Sequence, residues 1–225
     1  MTYVSPASPV GGPAGFTYAG IVVRAAHDAV VAALQELRYS GYVGPQEDEW
    51  VVLVPGRPHG AVAGSGRTSA DLALELSTAL AAPTLALLVE NDRLLLAWAY
   101  ASGEPLGEYV SDPTIARPWD DEASLEPEGS ENAPAIAVAF GRPDLAESLE
   151  ALLAEELGES TNESERMTAL LRLLGMPDWL VASTSLPKDV PGGPRAKEML
   201  KLGAGKEGVA GAVDNAVRGL VRKKK

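Results

Sequence analysis

The sequence predicts an α+β fold in which a largely antiparallel sheet, in the order β-α-β-β-α-β-β-β, precedes a small C-terminal group of helices. Three features carry this expectation. The apolar runs Thr84–Val89 and Arg93–Ala101 meet across Asn91 and Asp92, residues that tolerate the positive φ angles of a tight hairpin. Before them, strand-like runs alternate with segments of helical spacing. Beyond Pro113, leucines recur at the three- and four-residue intervals of a helix.

Taken in order, FTYAGIVVR, from Phe16 to Arg24, suits a strand, and Val30, Val31, Leu34 and Leu37 then fall on one helical face. Tyr39–Val43 and Trp50–Val54 flank the polar stretch GPQEDE and read as a hairpin. Thr68 and Asp71 have the spacing of a capping box ahead of the stripe Leu72, Leu76 and Leu80, and Pro83 ends that helix. Ser102 and Gly103 turn the second strand of the Asn91–Asp92 hairpin into Leu106–Val110, completing a three-stranded meander. Leu94, Leu96, Trp98 and Tyr100 share one face, while Leu95, Ala97 and Ala99 share the other. Apolar residues on both faces place these strands at the centre of the sheet.

Three further helices are expected. The first carries Ile136, Ala139 and Phe140 and ends at Gly141; the second opens at Pro143 and carries Leu145, Leu149, Leu152 and Leu153. The third, from Glu163 to Leu174, faces Met167, Leu170, Leu171 and Leu174 inward and stops at Gly175 and Pro177, before a buried turn at Trp179–Val181.

This divides the chain into a flexible leader (1–15), a sheet domain (16–112), an acidic Pro-rich connection (113–130), a helical region packed on the sheet domain (131–186) and a linker with a basic tail (187–225). In the tail Val209, Val213, Ala216, Val217 and Leu220 line one side of a weak amphipathic helix, with Arg218, Arg222, Lys223, Lys224 and Lys225 beside them. Gly203, Gly205, Gly208, Gly211 and Gly219 weaken it further, each by about 1 kcal/mol relative to alanine.

Composition narrows the chemistry. With 225 residues and 46% apolar content the chain can bury a substantial core. The absence of cysteine excludes disulfides and thiolate metal sites. Its net charge of −12 opposes nucleic-acid binding by the body of the chain. No apolar stretch has the length of a membrane span, and Met1–Gly15 lacks the features of a signal peptide, so the expected location is cytoplasmic. The sequon at Asn162 would matter only in a secretory compartment. Charge is also uneven: from Lys188 onward there are ten basic and four acidic residues, so an acidic body carries a basic end.

Candidate sites are few. His27, with Asp28 beside it, falls at a helix start; His59 lies in a Gly- and Pro-rich loop. A loop of Gly64, Ser65, Gly66, Arg67 and Thr68 could offer backbone N–H groups and a guanidinium to a phosphate or carboxylate, although a capped helix start explains the same residues. GAGKEG, from Gly203 to Gly208, echoes a phosphate loop without its Lys-Ser/Thr ending. Asp112, Asp120, Asp121 and Glu122 could pair as carboxylates, and Trp98, Tyr100 and Tyr109 could line a pocket; the plainer readings are a solvated acidic loop and core packing. No catalytic residue, cofactor or metal is expected.

The function expected from these features is a non-enzymatic binding or regulatory module of the inhibitor, immunity-protein or adaptor kind. It would offer Asp120, Asp121, Glu122, Glu126 and Glu128 to a basic protein partner. Two alternatives stand beside it. One is a small-ligand-binding protein or enzyme using the Gly64–Ser69 loop; the other is peripheral membrane attachment through the basic tail. The oligomeric state is open.

Overall fold

The computed structural model describes residues 15–57, 67–155 and 162–208. In chain order the elements are β1 (Tyr18–Arg24), α1 (His27–Glu36), β2 (Gly41–Glu47), β3 (Trp50–Pro55), α2 (Ser69–Leu80), β4 (Thr84–Glu90), β5 (Leu94–Ala101), β6 (Glu104–Val110), α3 (Pro113–Ala116), α4 (Ala133–Ala139), α5 (Ala146–Ala154), α6 (Glu163–Leu173), β7 (Leu200–Gly203) and β8 (Lys206–Glu207). The strands form one sheet in the order β6-β5-β4-β1-β3-β2-β7-β8, with every neighbouring pair antiparallel. The α+β class and the antiparallel sheet followed by helices are as the sequence predicts.

Both faces of the sheet are covered. Ile21, Val23, Val51, Leu53 and Ala86 point to one side and pack with Val30 and Leu34 of α1 and Leu72 and Leu76 of α2. Tyr18, Val22, Val52, Leu85, Leu87, Leu95 and Tyr109 point to the other and pack with residues of α4, α5 and α6 and with Trp179 and Leu180. Strand alternation thus feeds two separate cores. Trp50 and Phe140 link the second core across layers, their rings 6.0 Å apart and nearly parallel.

The capping box forms as its spacing implies: Asp71 N–H donates to the Thr68 hydroxyl at 3.1 Å, and Thr68 N–H donates to the Asp71 carboxylate at 2.8 Å. Asn91 and Asp92 both take positive φ in the β4–β5 turn. Of the meander, however, only its first strand, β4, lies near the centre of the sheet. β6 is an edge strand, and the middle of the sheet is β1 with β3 and β4. The apolar character of β5 on both faces comes from helices above and below it, a demand independent of lateral position.

Two further differences concern turns. The GPQE stretch assigned to a connection continues β2 past a bulge between Val43 and Gln46, so only Asp48 and Glu49 make the turn. Pro45 fits there because β7 pairs only with residues 41–43, so its missing N–H breaks no ladder bond. Within the segment assigned to linker and tail, β7 and β8 extend the sheet beyond β2. Gly203 and Gly205 therefore belong to a two-residue hairpin rather than to a weakened helix. Ala204 and Gly205 both have positive φ, the backbone of a type I′ turn. The turn is held by Ala204 N–H donating to the Ser40 hydroxyl and Gly205 N–H to the Tyr39 carbonyl, each at 2.7 Å. The leader residues 1–14 and the tail residues 209–225 lie outside the described residues.

Gly205 cannot be replaced without strain, because its φ is +78° and a Cβ would strike the Gln35 carbonyl oxygen. Gly205→Ala should lower stability by about 1–3 kcal/mol, read as a reduced urea midpoint. An unchanged midpoint would show that β7 and β8 do not close the sheet edge in this way.

Candidate functional site: an acidic loop that displays Trp119

The chain leaves β6 at Val110 and returns to the same point at Glu128. Val110 N–H donates to the Glu128 carbonyl and Glu128 N–H to the Val110 carbonyl, both at 2.9 Å. The intervening residues therefore make a closed surface loop, a kind of connection that often carries binding function. Each part of it is held locally. Asp112 caps α3, accepting from Thr114 N–H at 2.9 Å, from the Thr114 hydroxyl at 2.6 Å and from Ile115 N–H at 3.2 Å. Arg117 ties the two arms together, 2.5 Å from Glu128 and 3.6 Å from Asp120. Gly129 closes the loop at φ +89°, where any Cβ would collide with the Glu108 carbonyl oxygen.

The tip is apolar and uncovered. Trp119 is 78% exposed and Leu125 is 69% exposed, although tryptophan is highly buried on average. In the same loop Asp120, Asp121, Glu122, Glu126 and Glu128 are all exposed. From Asp112 to Glu131 there are seven acids against one base, Arg117. An exposed indole in a strongly negative field is a surface suited to a partner that is basic at its rim and apolar at its centre. Sequence reading found the acids but passed over Trp119 and Leu125. The available signal was two large apolar residues with no strand or helix periodicity in a Pro-rich acidic segment.

The loop stands on a buried polar knot. Ser111, directly after β6, pairs with Leu95: its N–H donates to the Leu95 carbonyl at 3.0 Å and its hydroxyl accepts from Leu95 N–H at 2.9 Å. Beside it the fully buried Glu163 lies 3.2 Å from Arg166 Nε. Arg166 also donates to the Tyr109 hydroxyl at 2.8 Å and to the carbonyls of Leu152, Leu153 and Glu155 at 3.0, 3.3 and 2.6 Å. One guanidinium thus joins the end of α5, the start of α6 and β6. Asp92, in the β4–β5 turn, accepts from Ser164 N–H at 3.2 Å and from the Ser164 hydroxyl, which lies 2.5 Å from the Tyr18 hydroxyl. Burial pushes the Glu163 carboxyl up to about 6; Arg166 and Ser111 oppose the rise, and Asp112 and Asp92 add to it. Burial likewise raises both Tyr18 and Tyr109 well above the ordinary tyrosine value.

The remaining sequence candidates are dispersed. His27 begins α1; its N–H donates to Gln46 Oε1 at 2.7 Å, and its Nδ1 lies 3.5 Å from Asp28. Arg67 is engaged within the chain, with Glu75 and with the Leu37 carbonyl, and Thr68 is spent on the capping box. His59, Gly64, Ser65 and Gly66 lie outside the described residues, as do Arg218, Arg222, Lys223, Lys224 and Lys225. Trp98 and Tyr100 pack toward α1 and α2 whereas Tyr109 packs on the opposite face, so the three do not line one pocket. Asp112 is turned to its helix cap, apart from the exposed acids of the tip. Asn162 is buried as the N-cap of α6, accepting from Glu165 N–H at 3.0 Å. Among the described residues no group of three or more His, Asp or Glu side chains could hold a metal ion, and no helix is long and apolar enough to cross a membrane.

In comparisons with protein-family models, with curated proteins and with solved structures, the chain matches none.

Two measurements test the knot. Because Glu163 titrates near 6 when folded and near 4.5 ordinarily, the folded state holds this proton more tightly than the unfolded chain. The stabilisation is complete below 4.5 and is lost as pH rises through 6, a change of about 2 kcal/mol. Urea titrations across that range should show the decline in wild type and not in Glu163→Gln; parallel profiles would contradict the assignment. Arg166→Met leaves the buried Glu163 without its opposite charge and the α5 carbonyls without their donor and should cost about 3 kcal/mol, checked by thermal denaturation near neutral pH.

Proposed function

We propose that this protein is a non-enzymatic binding module that presents the Trp119 loop to a basic protein partner. The observation that carries the reading is the joint exposure of Trp119 and Leu125 in a loop that also exposes five acids. Burying an aromatic side chain of roughly 150–250 Å² contributes on the order of 4 kcal/mol, and the fold leaves that contribution unused. The acids add long-range attraction and reject negatively charged competitors. The root of the loop is fixed by the Val110–Glu128 bridge and the Arg117 clamp, so little ordering cost remains for association.

The test compares immobilised wild type with Trp119→Ala and with the triple variant Asp120→Lys, Asp121→Lys, Glu122→Lys in native lysate. A basic protein should be retained by wild type at low salt, released at high salt and absent from both variants. The Trp119→Ala change should weaken the purified complex by about 30-fold or more. Equal retention by all three proteins would overturn the reading.

A further inference from the structure

We infer that residues 209–225 dock on the Trp119 loop of the same chain and keep it covered until a partner displaces them. The inference rests on the reading of that loop as a docking surface and names what regulates it. Complementarity is the first ground. Residues 209–225 hold five bases, Arg218, Arg222 and Lys223–Lys225, against the single acid Asp214, with Val217, Leu220 and Val221 set among them. The loop has the opposite composition: seven acids against one base from Asp112 to Glu131, and in Trp119 and Leu125 the two most exposed large apolar side chains among the described residues. Attraction between the charges and burial of the apolar side chains therefore act together at this contact.

Reach is the second ground, and strand register fixes it. The described residues end at Gly208, directly after β8, while the loop opens from Val110 of β6 at the opposite edge of the sheet. Val110 is level with Ala19 of β1 through Leu96 and Leu88. Glu207 of β8 is level with Pro55 of β3 through Leu202 and Gly41. The Ile21–Leu53 register, carried on by two residues, sets Ala19 beside Pro55. Both ends of the path thus lie on one row across the sheet, separated by seven strand spacings of about 4.8 Å, roughly 34 Å in all. The 14 residues from 209 to 222 cover up to about 46 Å when extended, so the span is within reach of the four bases at 222–225. A tether of this length holds the segment near its own loop at an effective concentration approaching the millimolar range. Separate copies in dilute solution do not reach that concentration, so the contact forms within one chain in preference to between chains.

The chain has no cysteine, so the full-length protein with Ser124→Cys in the loop and Gly219→Cys in the segment takes a donor and an acceptor dye at these two positions alone. Energy transfer at nanomolar protein and low salt should be high, independent of concentration and lost in high salt. Trp119→Ala, and separately the variant Arg218→Glu, Arg222→Glu, Lys223→Glu, should each abolish most of it. That charge-reversed variant, its loop vacated, should bind a synthetic peptide of residues 209–225 about 10-fold more tightly than wild type, whose loop is already occupied. Low transfer at low salt, transfer that rises only with concentration, or equal peptide affinity in the two proteins would overturn the inference. If in that case the lysate partner is still captured through Trp119, only self-docking fails; if that capture also disappears, the reading of the loop fails with it.

Discussion

Everything else in this molecule follows from a sheet that is apolar on both faces. β1 carries Ile21 and Val23 to one side and Tyr18 and Val22 to the other, all buried, and its neighbours β3 and β4 repeat the pattern. A sheet of this kind must be covered twice. The connections between the first four strands supply one cover, because α1 and α2 lie between β1 and β4 in the chain and fold back on the same side. The second cover can only come from sequence beyond β6. The chain must therefore leave an edge strand, cross to the opposite face and lay down α4, α5 and α6 there.

That crossing explains where polar groups are buried. The helical layer packs mostly through leucine, methionine and aromatic side chains, which fill space without fixing direction. Arg166 supplies direction: its guanidinium donates to carbonyls at the end of α5 and to Tyr109 on β6, and it forms an ion pair with Glu163 at the start of α6. Asp92 and Ser164 do the same at the β4–β5 turn. Buried ion pairs contribute little net stability compared with apolar replacements, so the knot is better understood as setting the position of α6 than as strengthening the core. Its carboxylates lie beneath the root of the acidic loop, which joins the rigidity of that loop to the packing of the second layer.

The distribution of charge follows the same geometry. The acids of the loop are in solvent, as is the Trp119 indole that the core does not claim. The basic residues concentrate at the other end of the chain, which departs from the far edge of the sheet. The short β7–β8 hairpin at that far edge also shields the backbone of β2, a protection that exposed sheet edges require.

Much of the fold was legible because its signals are local. The Thr68–Asp71 capping box, the Asn91–Asp92 turn, the stripes of α2 and α6 and the alternation along β5 each depend on residues within a few positions of one another, and there backbone sterics and periodicity decide the outcome. The sequence by itself therefore determined the α+β class, the antiparallel meander, the helices that follow and the uneven charge. Only tertiary structure decided that the meander lies at one end of the sheet, that Leu200–Gly203 pairs with β2, that Glu163 and Arg166 meet beneath the loop and that Trp119 stays in solvent. These depend on contacts between residues far apart in the chain, and their free energy comes from surfaces that do not exist until both partners have folded.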